Sequence, residues 1–194
     1  MIEAWPSLAS GPAGGLVEDC LVLLDHLGEA RSLVDVGSGG GLPGLPLKIA
    51  RADLMVTLVE ADQAKAAFLV QAVARLGLKD VEVVARRAEE VGRDSAYRER
   101  FDVAVARAVA ALPALAELCL PLVRVGGLML AQKTDREEVA PANHAIDVLG
   151  GSFEAAIPAP SAARTAGTVI VVRKVRATPD AYPRRAGVPV RKPL

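Results

Sequence analysis

The sequence contains few residues of the kinds that carry base-stacking, metal or nucleophilic chemistry. Aromatic side chains make up 3% of the 194 residues, which argues against the stacking platforms of proteins that bind single-stranded nucleic acid. Cys20 and Cys119 are isolated and lack metal-ligand spacing, so we expect two buried thiols in a reducing compartment and no metal site. His26 and His144 also stand alone, and no His–Asp or Cys–His constellation indicates a nucleophilic mechanism.

Long hydrophobic runs are missing as well. No apolar run approaches the roughly 20 residues that cross a bilayer. The first residues, MIEAWPSLASGPAGG, lack a basic start followed by an apolar stretch, so no secretory signal is predicted. A chain that is 52% hydrophobic and 24% charged buries a core as one unit. We therefore expect a cytoplasmic protein without a membrane partner, acting as a monomer.

The net charge of zero conceals an uneven distribution. From Arg173 onward the chain has seven Lys or Arg against Asp180 alone, so the end carries +6 and the remainder −6. A basic extension on an acidic body suggests a polyanionic partner that contacts one edge of the molecule. A solvated, mobile terminus explains the same charge pattern about equally well.

Strand and helix patterns alternate along most of the chain, which predicts a doubly wound, mostly parallel sheet. The last two strands have no helix between them and predict an antiparallel edge. We expect a short N-terminal helical segment at 1–30, the α/β domain at 31–176 and a basic tail at 177–194. The predicted strands are 31–36, 54–60, 81–84, 101–106, 126–133, 152–157 and 168–174, and the predicted helices are 17–27, 62–76, 112–120 and 136–149.

The most informative stretch is DVGSGGGLPGLPL, from Asp35 to Leu47, which leaves the first strand and enters a helix. Glycines at this point allow positive φ angles and a close approach of a ligand to the backbone. A dinucleotide fingerprint, G-x-G-x-x-G, fails when it starts at Gly37, because Leu42 occupies the third glycine position. The alternative, D-x-G-x-G-x-G, is complete and resembles the first motif of class I S-adenosylmethionine-dependent methyltransferases.

S-adenosylmethionine has no phosphate but presents a sulfonium cation, an amino-acid end and a ribose. A carboxylate at the end of a strand can therefore contact it favourably. Asp35 suits the methionyl amino group, directly or through water, and the loop of Gly37, Ser38 and Gly39 presents backbone N–H groups. Glu60 ends the second strand and is placed to accept both ribose hydroxyls. Capping of neighbouring helices is the competing explanation for both carboxylates.

Six segments together resemble one family more closely than the superfamily. They are DVGSGGGLPGLPL, VTLVEAD, RRAEE, FDVAVARAV, LPLVRVGGLML and YPRRAGVPVRKPL, in chain order from Asp35 to Leu194. The sequence is similar to the RsmG family, also called glucose-inhibited division protein B, which methylates N7 of a guanine in 16S ribosomal RNA with S-adenosylmethionine. The resemblance implies cofactor contacts at Gly37, Leu42, Glu60, Ala61, Asp62, Ala88, Glu89 and Arg107.

The sequence also departs from the family pattern. About thirty residues precede the first strand, where the family has a longer helical extension with a His-x-x-Asp-Ser element; Leu16 and Cys20 stand at its His and Ser positions. The family usually has a Lys-Gly pair where this sequence has Lys133 and Thr134, so the lysine is retained. Guanine N7 has a free lone pair, so methyl transfer to it needs positioned reactants and no proton-transfer residue. Arg107 and Lys133 are the only candidates for a catalytic role.

The basic tail then has an explanation. Lys and Arg neutralise RNA phosphates without reading sequence, and Arg184, Arg185, Arg191 and Lys192 are the predicted contacts with 16S ribosomal RNA or the small subunit. Two other functions stay open at this point. They are a nicotinamide-dependent oxidoreductase and an inactive protein that binds the cofactor and RNA.

Overall fold

One mixed sheet organises the molecule. The computed structural model describes residues 13–107, 109–134, 138–161 and 164–194. Within these residues, seven strands lie in the order β3-β2-β1-β4-β5-β7-β6. The strands are β1 Ser32–Val36, β2 Met55–Val59, β3 Val81–Val84, β4 Phe101–Arg107, β5 Val123–Thr134, β6 Gly151–Pro158 and β7 Gly167–Lys174.

Helices cover both faces of this sheet. In the described part they are α1 Ala13–Leu21, α2 Gly44–Ala50, α3 Gln63–Arg75, α4 Ala88–Val91, α5 Leu112–Cys119, α6 Asn143–Val148 and α7 Val188–Arg191. Short 3₁₀ turns occupy Leu24–His26, Leu120–Leu122 and Ala140–Ala142. None of the helices in the described ranges has the length and apolarity needed to span a bilayer.

The pairing of the strands confirms the predicted sheet. β1 pairs in parallel with β2 and β4, and β2–β3 and β4–β5 are also parallel. β7 runs antiparallel to both β5 and β6, so the antiparallel strand lies one position inside the edge. The chain order reverses between β1 and β4, and a crevice opens at the carboxyl ends of the strands at such a point.

Residues of the central strands alternate between two cores. Val34, Val36, Ala104 and Ala106 face the side of α4, α5 and α6. Leu33, Leu58, Val103 and Val105 face the side of α2 and α3. Because both faces are covered, the central strands are apolar in nearly every position, which is typical of a buried parallel sheet.

Several predicted boundaries were wrong, each for a local reason. The helix expected at 136–149 is confined to Asn143–Val148, and residues 135–137 lie outside the described part. A 3₁₀ turn at Ala140–Ala142 precedes it, where Pro141 lacks the N–H that a helix interior requires. The helix expected at 17–27 ends at Leu21 and is followed by a 3₁₀ turn. α4 was not predicted, because four residues are too few for a periodic pattern.

Candidate functional site

The glycine loop begins where β1 ends. The N–H groups of Gly37 and Ser38 both donate to the carbonyl of Val59 at the end of β2, at 2.9 and 3.0 Å. Gly37, Gly39 and Gly41 all have positive φ angles, which explains why the motif needs glycine there. A Cβ on Gly37 would also lie 2.8 Å from Cγ2 of Val109. These hydrogen bonds hold the start of the loop against the end of β2, and a side chain at residue 37 would collide with Val109.

Glu60 fixes the position of this loop. Its Oε2 accepts from the N–H of Gly39 and its Oε1 from the N–H of Asp62, each at 2.8 Å. The side chain is nearly buried, at the mouth of the crevice. A carboxylate accepts up to about four hydrogen bonds, so these two leave capacity for a ligand. The ribose contact stays a prediction, and the structure adds that Glu60 shapes the loop itself.

Asp35 is fully buried behind the loop. Its Oδ2 accepts from the N–H of Gly44 at 2.9 Å, while Oδ1 has no hydrogen bond within the described part of the chain. Burial raises the pKa of Asp35 to about 7, against the opposing effect of the Gly44 hydrogen bond. The predicted capping alternative therefore applies to one oxygen, and the other is an unused acceptor below the loop.

The other predicted cofactor residues divide into three groups. Asp62 is exposed and caps α3, accepting from the N–H of Ala64 and Lys65. Leu42 packs against Leu16 and Cys20 of α1. Ala61, Ala88 and Glu89 line a pocket of about 450 Å³ at the carboxyl edge, together with Val36, Arg87, Val109, Leu118, Ala186, Gly187, Val190 and Arg191.

Arg107 is the last residue of β4 and forms an ion pair with α1. Its Nη1 donates to Oδ2 of Asp19 at 3.2 Å, and Asp19 is almost fully buried. The other oxygen of Asp19 accepts from Arg164 Nε at 3.1 Å and from Ser161 Oγ at 2.8 Å. The ammonium group of Lys133 donates a hydrogen bond to the carbonyl of Ala110. The predicted catalytic roles of Arg107 and Lys133 stay untested.

The four predicted RNA contacts differ in their surroundings. Arg184 is paired with Glu117 of α5, to which its backbone N–H and its guanidinium both donate. Arg185, Arg191 and Lys192 are exposed, and Arg191 makes a local bond to the carbonyl of Gly187. The structure thus gives Arg184 a partner inside the protein, whereas the other three cations face solvent.

Sequence reasoning missed the residues that hold the chain ends onto the site. Glu117 is a lone carboxylate in the apolar helix LPALAELC, and this isolation is a signal that it needs a buried cation. Asp19 and Arg164 gave no such signal, because they are far apart in sequence and neither interrupts an apolar pattern. Within the described residues, no group of three His, Cys, Asp or Glu is placed to bind a metal.

Solved structures resemble this fold at low sequence identity. An O-methyltransferase of neocarzinostatin biosynthesis, solved with S-adenosylmethionine, has a TM-score of 0.61 and 19% identity, covering 75% of this chain and 49% of that one. A ribosomal protein L11 methylase from Lactobacillus delbrueckii subsp. bulgaricus has a TM-score of 0.64 and 15% identity, covering 88% and 83%. These likenesses establish the class I methyltransferase fold.

Sequence comparison is more specific. A Ribosomal RNA small subunit methyltransferase G from Pelotomaculum thermopropionicum is 47% identical over 174 residues, which is 87% of this chain and 72% of that protein. One from Roseiflexus sp. is 51% identical over 165 residues, covering 84% and 70%. The family model described as rRNA small subunit methyltransferase G matches residues 15–161. The chain therefore belongs to the rRNA small subunit methyltransferase G family.

Proposed function

We propose that this protein transfers the methyl group of S-adenosylmethionine to N7 of a guanine in 16S ribosomal RNA. The observation that supports it most is the glycine loop at the β1–β4 crevice, held by Glu60, in a chain of this family. The complete D-x-G-x-G-x-G pattern also favours this cofactor over a dinucleotide.

The residues present fit the cofactor. Oδ1 of Asp35 is a buried acceptor without a hydrogen bond in the described part, and a cationic amino group supplies the missing donor. Glu60 lies at the adjacent strand end with acceptor capacity for hydroxyl groups. Ala61 and Ala88 offer an apolar surface beside Glu89 for the base. Asp35, Glu60 and the pocket thus match the amino, ribose and adenine parts in order along the crevice.

Asp35, Glu60 and the pocket would hold the cofactor, which would supply an electrophilic sulfonium methyl for attack by the N7 lone pair of guanine. N7 carries no proton, so the protein needs to position the reactants and exclude water without acting as a base. Burial raises the pKa of both thiols, that of Cys20 to about 12, so neither is a thiolate nucleophile at neutral pH. Cysteine-dependent methylation of a cytosine carbon is therefore disfavoured.

RNA binding is assigned to the exposed cations of the C-terminal segment, residues 177–194. Arg185, Arg191 and Lys192 are exposed, and Arg191 lies at the rim of the pocket with Arg87. Their contribution comes from phosphate neutralisation, which weakens steeply as salt rises. The protein acts in the cytoplasm as a monomer on 16S ribosomal RNA or the small subunit.

The test measures both cofactor binding and product. Calorimetry with S-adenosylmethionine and with NAD is followed by incubation of the protein with unmethylated small-subunit RNA or intact small subunits. Borohydride reduction and aniline cleavage then detect N7-methylguanine. We expect the protein to bind S-adenosylmethionine but not NAD, and we expect the treated RNA to be cleaved at a guanine. Binding of S-adenosylmethionine without methylation of either substrate indicates an inactive protein that binds the cofactor, and binding of NAD alone contradicts the proposal.

A matched pair of variants links the product to the site. Glu60→Gln removes the charge that the loop and the ribose share, and we expect roughly tenfold weaker cofactor binding, because hydrogen bonds to a charged group contribute about 1.5–3 kcal/mol. Glu29→Gln makes the same change at an exposed position before β1, at the opposite edge of the sheet. Equal affinities in the two variants would separate Glu60 from the cofactor site.

A further inference from the structure

The C-terminal segment crosses one whole face of the molecule. It starts at the amino edge of the sheet, where Thr178 N–H donates to Glu99 Oε1 at 2.7 Å. Arg98 then donates to the carbonyls of Thr178 and Tyr182, at 2.7 and 2.8 Å. Tyr182 packs against the core on the α5 side, and α7 lies at the carboxyl edge. The segment is thus bound at several points before it reaches the site.

The strongest of these attachments is the ion pair between Arg184 and Glu117. Glu117 is fully buried, and its two oxygens accept from Arg184 Nε at 2.9 and 3.0 Å and from Nη2. The backbone N–H of Arg184 adds a fourth bond at 2.7 Å. A buried carboxylate with this many donors fixes the direction of the chain at that residue. The position of the next seven residues follows from it.

Those residues form one side of the pocket at the carboxyl edge. Gly187 N–H donates to Oε1 of Glu89 at 2.7 Å, which ties the segment to α4. Ala186, Gly187 and Val190 then line the pocket together with Ala61 and Ala88. The lining also contains the charged residues Arg87, Glu89 and Arg191, and Val190 is 54% exposed. The alanine and valine side chains among these residues are an apolar surface that a flat ligand can cover.

We propose that residues 184–191 form the outer wall of the subsite for the adenine of the cofactor, and that Arg184 is the positioning residue that holds this wall. The inference rests on the proposed function, because Ala61 directly follows the predicted ribose acid Glu60 and so places the base in this pocket. The adenine ring lies between Val190 and the alanines, and Glu89 bridges the wall and the ring edge. The role of Arg184 is therefore in cofactor binding and not in phosphate contact.

The proposed RNA contacts belong to the same segment. Arg185 and Arg191 lie within the wall and Lys192 directly follows it, so the attachments that hold the wall also position these exposed cations.

The first test compares two valine-to-aspartate changes in the full chain. Val190→Asp places a carboxylate against the adenine subsite, whereas Val175→Asp makes the same change at a valine of similar exposure, 49%, that does not line the pocket. Calorimetry with S-adenosylhomocysteine should show at least tenfold weaker binding for Val190→Asp and an unchanged affinity for Val175→Asp. Equal, unchanged affinities in both variants overturn the proposed wall.

The second test compares Arg184→Lys with Arg75→Lys, which makes the same change at an exposed arginine at the end of α3, outside the pocket lining and the C-terminal segment. Lysine keeps the charge of residue 184 but loses the fork that contacts both oxygens of Glu117. We expect three- to tenfold weaker binding of S-adenosylhomocysteine at 10 °C for Arg184→Lys and no change for Arg75→Lys. A lowered melting temperature with unchanged affinity would show that Arg184 serves stability alone and would refute its positioning role.

The wild-type titration separates this inference from the proposed function. Wild-type protein that does not bind S-adenosylhomocysteine contradicts the proposed function itself, whatever the variants do. Wild-type protein that binds, with Val190→Asp binding equally well, contradicts only the assignment of the wall.

Discussion

α1 and the C-terminal segment both lie at the crevice and are held there by opposite arrangements of charge. α1 brings a carboxylate to the body, where Asp19 accepts from Arg107 and Arg164. The C-terminal segment brings a guanidinium, which pairs with Glu117 of the body. Asp19 meets two cations that are 18% and 20% exposed, whereas Glu117 is fully buried and, within the described residues, is paired with Arg184.

This difference determines what each attachment costs to break. Without Arg184, a fully buried anion loses its cation. Without Asp19, two guanidinium groups remain that are 18% and 20% exposed, although Nη2 of Arg164 is itself buried. α1 also adds a small apolar cluster, in which Leu16 and Cys20 pack on Leu42. The C-terminal segment is thus a fixed part of the site, and α1 is a covering element that detaches at lower cost.

The largest expected effect comes from Arg184→Ala. Removing one member of a buried ion pair costs about 3–5 kcal/mol, and we expect the lower end because the backbone N–H of residue 184 still donates to Glu117. Urea unfolding of the wild type and the variant measures the loss.

The double variant Glu117→Leu, Arg184→Leu provides the control for that measurement. It removes the buried charge together with its partner, so we expect most of the lost stability to return. A double variant as unstable as Arg184→Ala would show that the pair itself, and not the unpaired anion, sets the cost.

A smaller effect is expected for Asp19→Ala. The change removes a buried acceptor of three hydrogen bonds but leaves partly solvated donors, so about 1–3 kcal/mol should be lost. Hydrogen exchange should show faster opening of α1 with little change at α7. A loss larger than that of Arg184→Ala would reverse the comparison of the two ends.

Asp35 is a buried carboxylate that forms no ion pair within the described residues, although the charge of Arg107 opposes the rise of its pKa. Its pKa is about 7 in the fold and near 3.8 in the unfolded chain, so the folded state binds more protons between these values. Stability from this group therefore falls as pH rises from about 4 to 7, by at most about 1.4 kcal/mol per pH unit. Asp35→Asn should remove this slope, as measured by unfolding at several pH values. An identical slope in the variant would assign the proton to another group.

Arg185→Ala should have the smallest effect on stability. The side chain is exposed, so we expect a change within about 0.5 kcal/mol. Affinity for small-subunit RNA should fall, and the slope of its logarithm against salt should decrease by about one. An unchanged salt slope would exclude Arg185 from the RNA interface and would leave Arg191 and Lys192 as the candidates.

The sheet was predictable because local patterns determine it. Runs such as VTLV and FDVAVA are apolar on both faces, and Gly77 ends α3 with a φ of +62° as expected of a helix terminator. The glycine loop and Glu60 were also predictable, because their spacing reflects a backbone shape. The pairings between distant residues were not predictable. Asp19 with Arg164 and Glu117 with Arg184 meet only because distant segments of the chain fold onto each other.

The sequence also could not distinguish Arg184 from the other cations of the C-terminal segment. Four cations in YPRRAGVPVRKPL are equivalent in sequence, and only a three-dimensional partner distinguishes Arg184 from Arg185. Burial of Glu117 makes that distinction, since a buried carboxylate needs a cation and Arg184 is the one that reaches it.

A crystal structure of the protein with S-adenosylhomocysteine tests the central claim most directly. The account predicts ribose hydroxyls on Glu60, with the adenine between Ala61, Ala88 and Val190. A ligand bound elsewhere, or a crevice empty at a saturating concentration, would contradict the assignment of the glycine loop and with it the proposed transfer to ribosomal RNA.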